Sequence, residues 1–73
     1  MNKIKKRNNF RELLFQDYGI EEKYIISKII EDNFEKYNLL DELGTTASIT
    51  INFAEMKYIV ESPEFTQEIN IIL

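Results

Sequence analysis

EEKYIISKIIEDNFEKYNLLDEL, residues Glu21 to Leu43, is the stretch whose reading decides the fold. At about 100° per residue, Ile25, Ile26, Ile29, Ile30, Phe34, Tyr37, Leu40 and Leu43 fall on one half of a helical wheel. Ser27, Lys28, Glu31, Asp32, Glu35 and Glu42 fall on the other half. The spacing predicts an amphipathic helix with a wide apolar face and an acidic outer ridge. Two residues fit it poorly. Asn33 sits near the centre of the apolar face, where an unpaired amide would cost about 1–3 kcal/mol. Leu39 falls on the polar side, so the regular helix is expected to end near Asn38, with Gly44 closing the segment.

Upstream, Asn9 and Glu12 have the spacing of a capping box ahead of Phe10, Leu13, Leu14 and Tyr18, which share one helical face. Gly19 supplies a left-handed stop, pairing Ile20 with Phe15 in a Schellman ending. Glu21 and Glu22 then lie in the first turn of the next helix, where the helix dipole favours negative charge. A helix-turn-helix unit follows from these signals.

Downstream of Gly44 the period changes. Ile49, Ile51 and Phe53 alternate with Ser48, Thr50 and Asn52, a half-buried strand pattern. KYIVE, ending at Glu61, has strand propensity, although Asn52 and Glu55 also form a cap-like pair that would suit a short helix over residues 53–61. Ser62-Pro63 breaks this segment, and Phe65 to Leu73 reads as a last strand. The expected fold class is α+β: an N-terminal helix-turn-helix pair followed by a small three-stranded antiparallel β-meander. One domain over residues 9–73 is expected, preceded by a basic flexible tail over residues 1–8.

Seventy-three residues allow only a small core, and with no cysteine there is no disulfide to reinforce it. Histidine is absent too, which removes the commonest general base and zinc ligand. Ser27, Ser48 and Ser62 therefore have no histidine to activate them, and Gly19 and Gly44 form no phosphate-cradling loop. Glu31 and Glu35, one helical turn apart, could share a divalent cation, but a solvated acidic face is the preferred reading. The expectation is a protein that is not an enzyme and holds no cofactor or metal. The start MNKIKKRNN stays polar and no run approaches a membrane span, so a soluble protein of the bacterial cytoplasm, without membrane contact, is expected.

The net charge of −4 is unevenly placed. Lys3, Lys5, Lys6, Arg7 and Arg11 are five of the nine basic residues, whereas from Glu12 onward thirteen acids face four lysines, which leaves −9. Three functional readings follow. In the leading one, Glu31, Asp32, Glu35 and Glu42 supply charge, and Tyr24 and Leu39 supply apolar anchors. Together they would engage a protein partner with a basic surface, such as the nucleic-acid channel of a nuclease or defence complex. In its rival, a small homo-oligomeric module has an acidic face that is simply solvated. A third reading, direct nucleic-acid binding through Lys3, Lys5, Lys6, Arg7 and Arg11, must overcome repulsion from the acidic body. The C-terminal Ile69, Ile71, Ile72 and Leu73 are too apolar for an exposed strand edge and are expected to form an oligomer interface, such as that of a homodimer. In size and charge the chain is similar in character to phage nuclease inhibitors, anti-CRISPR proteins and acidic immunity or antitoxin partners. That likeness implies an inhibitor from a phage or mobile element and carries no particular residue across.

Overall fold

A computed structural model describes residues 2–72, with side chains from Lys5 onward. One helix, α1 (Asn2–Tyr18), leads through a 3-10 turn (Glu22–Tyr24) into five strands: β1 (Ile25–Glu31), β2 (Phe34–Leu40), β3 (Thr46–Asn52), β4 (Lys57–Glu61) and β5 (Thr66–Asn70). All neighbours pair antiparallel in the order β1-β2-β3-β4-β5, an uninterrupted meander. The molecule is mostly β. The expected helix pair with a three-stranded meander is therefore corrected: the second helix does not exist, and its residues form the β1–β2 hairpin.

The hairpin explains the two residues that fitted a helix poorly. Glu31 pairs with Phe34 across a two-residue turn at Asp32-Asn33. Asn33 is thus exposed at the turn, its Oδ1 accepting from Arg7 Nη2 at 2.8 Å and its carbonyl accepting the Phe53 N–H at 2.8 Å. Leu39 is buried, because β2 turns Glu35, Tyr37 and Leu39 inward at a period of two. The isoleucine doublets imitate a helical period for a different reason. A bulge between Ile25 and Ser27 breaks the alternation of β1, and β-branched side chains suit an extended backbone. Gly44 closes no helix; with φ +83° it lies in the β2–β3 connection, its N–H donating to the Asp41 carbonyl at 3.1 Å.

The register builds the core in cross-strand rows. Tyr37, Ile49 and Val60 lie opposite one another, as do Glu35, Ile51 and Tyr58, while Leu39 faces Ala47. α1 covers this face with Leu14 fully buried and with Phe10 and Phe15 packed beside it. Phe15 stands edge-on to Tyr37 at 5.1 Å, and Phe10 meets Phe53 at 6.3 Å and Tyr58 at 5.8 Å. Such aromatic pairs add about 0.5–1.5 kcal/mol each beyond burial. Leu13, placed on the same helical face by its spacing, points to solvent. The opposite sheet face presents Lys36, Thr50, Ile59 and Glu68 in one row, and no second layer covers it among the described residues.

α1 ends as its sequence implies. Gly19 has φ +67°, Ile20 N–H donates to the Phe15 carbonyl at 2.8 Å and Gly19 N–H to that of Gln16 at 3.2 Å, the paired bonds of a Schellman motif. Its start differs: the helix begins at Asn2, and Asn9 and Glu12 are interior. Described residues of the basic segment are therefore helical. The strands β3, β4 and β5 fall within the segments read as extended, with residues 53–56 forming the β3–β4 turn. There Asn52 Oδ1 accepts the Glu55 N–H at 3.0 Å, the local bond that the cap-like spacing anticipated in a different setting.

Candidate functional site

The two ends of β2 place their polar groups very differently. At the first end, Glu35 is only 5% exposed, and burial alone would raise its carboxyl pKa. Three contacts hold the charge. Arg11 grips it through Nε to Oε1 at 2.8 Å and Nη2 to Oε2 at 3.3 Å, while the Tyr37 hydroxyl donates to Oε1 at 2.6 Å. These hydrogen bonds, with the charges of Arg11 and Arg7, outweigh burial and hold the carboxyl below its usual range. The same arrangement raises Arg11 through its bond to Glu35, and burial together with Glu35 drives the Tyr37 phenol well above its ordinary value. Arg7 completes this end, donating to the Asp32 carbonyl at 2.8 Å and lying over the Phe53 ring at 4.5 Å. The network fastens the N-terminal half of α1 to the β1–β2 hairpin.

At the second end, where α1 stops and β2 leaves the sheet, two adjoining hollows of about 250 and 260 Å³ open to solvent. Ile20, Leu39, Ala47, Ile49 and Val60 form an apolar floor, with Tyr18 and Phe65 at the sides. The rim is acidic. Asp41 folds its own turn, Oδ1 accepting the N–H groups of Leu43 at 2.9 Å and Thr45 at 2.8 Å. The Tyr24 hydroxyl donates to Glu42 at 3.2 Å, and Lys23 reaches Glu42 at 3.5 Å and Glu21 at 3.9 Å. Asp41 is the one carboxylate that lines the hollows among the described residues, and Glu42 and Glu21 lie beside it through Tyr24 and Lys23. Partial burial and the Glu42 charge raise the Tyr24 phenol, which keeps it protonated and donating.

The structure thus divides the residues that the sequence grouped into one ridge. Glu35 is enclosed under α1, and Glu31 and Asp32 lie exposed at the hairpin turn beside it. Tyr24, Leu39 and Glu42 come together at the opposite end, with Leu39 as floor rather than exposed anchor. Ala47, Asp41, Thr45 and Val60, which complete the hollow, were missed. Only the alternation of β2 could have pointed to them, by turning Leu39 toward β3. Of the basic residues, Arg7 and Arg11 are engaged within the fold, Lys5 and Lys6 face solvent, and the Lys3 side chain lies outside the described residues.

The C-terminal residues also separate. Ile71 is buried in the core and donates its N–H to the Met56 carbonyl at 2.8 Å. Ile69 is half-buried on the edge strand β5, Ile72 is 92% exposed, and Leu73 lies outside the described residues. Ile72 instead lines a shallow apolar groove with Lys6, Asn9, Phe10 and Leu13 on α1. Among the described residues no cluster of histidine, cysteine, aspartate or glutamate is placed to hold a metal ion, and no helix is long and apolar enough to cross a membrane. No family model, no curated protein and no solved structure matches the chain.

Proposed function

We propose that the chain is a non-enzymatic inhibitor or regulator that binds a protein partner, seating an apolar side chain from a basic segment in the hollow between Leu39, Ala47 and Val60. The observation that carries this reading is an open apolar floor with the exposed Asp41 at its border and the exposed Glu42 beside it, bonded to Tyr24. Burying one large apolar side chain there supplies about 1.5–3 kcal/mol, and lysine or arginine residues flanking it would meet Asp41 and Glu42. Those charges favour basic partners and speed encounter, with an effect that salt weakens. Glu35, the one buried carboxylate among the described residues, supports a non-catalytic reading, since Arg11 and Tyr37 between them occupy both its oxygens. The reading does not depend on the acidic helical ridge expected from the sequence, because that helix is absent from the fold.

Selection of displayed peptides against the folded chain tests it. The expected winners carry an aromatic or large aliphatic residue next to lysine or arginine, and their binding weakens as salt rises. Ala47→Leu, which fills the floor, is expected to abolish capture while leaving the strand pattern intact. Winners with acidic flanks, or winners indifferent to A47L, would overturn the reading.

A further inference from the structure

The sheet has two edges, and they differ in character. β5 presents the polar run Thr66, Gln67 and Glu68. β1 is hydrogen-bonded to β2 along one side only, and Ile26, Ile29 and Ile30 are 59%, 47% and 57% exposed. Its free backbone groups can template another strand. The bulge at Ile25/Ser27 and the charge of Lys28 limit the registers in which another strand can pair there.

We infer that β1 pairs antiparallel with β1 of a second copy of this chain, with Ile29 on the two-fold axis. The register follows from the two faces of the strand. Opposite Asn38, Lys36 and Phe34, residues Ser27, Ile29 and Glu31 face away from α1; opposite Tyr37 and Glu35, Lys28 and Ile30 face its side. A two-fold axis perpendicular to the sheet keeps each face continuous, so only three registers centre within the straight part of β1. Centring on Lys28 sets two lysines directly opposite, which is destabilising. Centring on Ile30 sets Ile29 against the carboxylate of Glu31. Centring on Ile29 sets no like charges directly opposite and no isoleucine against a carboxylate: Ile29 meets its own copy, Ile30 lies along the aliphatic stem of the second copy's Lys28, and Ser27 lies across from Glu31. Lys28 then stands diagonal to both Asp32 and Lys28 of the second copy, so that an opposite and a like charge offset one another. The exposed isoleucine edge is complementary to itself in apolar surface, which is the requirement of a two-fold interface.

The chain has no cysteine, so single substitutions report the register directly. Across an antiparallel pair, Cβ atoms directly opposite lie about 4.5–5.5 Å apart, close to disulfide reach. Ile29→Cys is expected to oxidise to a covalent dimer faster than Lys28→Cys or Ile30→Cys. Sedimentation of the unsubstituted chain is expected to show a concentration-dependent dimer. Ile29→Lys should weaken it at least tenfold while the amide pattern of the β1–β2 hairpin persists. A monomer at every concentration, or a dimer indifferent to I29K, would overturn the proposal. Faster cross-linking through K28C or I30C would overturn the register.

Discussion

The two ends of β2 begin from similar side chains and arrive at opposite outcomes. Glu35 with Tyr37 and Glu42 with Tyr24 are each a carboxylate accepting from a phenol, one carboxylate on β2 and the other just past its end. At the first end α1 lies close overhead, and Arg7 and Arg11 descend from it to neutralise the acid and seal the sheet. At the second end α1 has already stopped at Gly19, and the carboxylates of Asp41 and Glu42 stay in solvent above an apolar floor. The difference comes from the charge gradient along the chain. α1 carries five basic residues against Glu12 and Asp17, with the cations toward its start, so the cationic half of the helix covers one end only. One end is therefore fastened and the other is open to a partner.

Breaking the fastened end should have the largest effect. Arg11→Met leaves Glu35 buried without its cation and is expected to cost about 3 kcal/mol, the lower end for such pairs because Arg11 keeps 24% exposure. Urea unfolding measures it, and peptide capture at the far end should persist wherever the variant is folded. The open end should respond in the opposite sense. Ala47→Leu is expected to change stability by less than about 1.5 kcal/mol, since there is room for the added methyl groups, while reducing peptide affinity tenfold or more.

Acid provides a graded version of the first experiment. The Glu35 carboxyl is held below its ordinary 4.5 in the folded chain, so the stability it contributes is complete above that value. It is lost as pH falls through the folded value. Stability should therefore decline below about pH 4.5, and Glu35→Gln should flatten that part of the profile. The smallest effect is expected at the rim. Asp41→Asn retains the Oδ1 acceptor of the turn, so stability should stay within about 0.5 kcal/mol, while the salt dependence of peptide binding becomes shallower.

Parts of the fold were legible where the deciding interactions are local, although the helix pair was not among them. The Gly19 ending depends on residues within one turn, and Phe15, Gln16 and Ile20 form the bonds that the spacing implies. β3 alternates cleanly because its inward positions, Ile49 and Ile51, are apolar. β1 and β2 were not legible for the same physical reason inverted. β2 turns Glu35 inward, and a charged residue at a buried position erases a hydrophobic period. Its compensation, Arg11, is 24 residues upstream and invisible to any local window. β1 hides its period behind a bulge and an uncovered face. Asn33 was the available clue: an amide at the centre of a supposed apolar stripe is a conflict between local and global structure, and a hairpin turn at Asp32-Asn33 removes it. Of the candidate site, Tyr24, Leu39 and Glu42 were legible as residues that do not serve an ordinary helical core. Their meeting place was not, since it depends on β3 lying beside β2.

The division between a fastened and an open end is tested most directly by amide chemical shifts recorded while a selected basic, apolar peptide is added. Changes are expected at Leu39, Asp41, Thr45, Ala47 and Val60, with Glu35, Tyr37 and Arg11 unmoved. Changes centred on Arg11, Asp32 and Glu35 instead would contradict the account, because the partner would then be engaging the end that the fold has already closed.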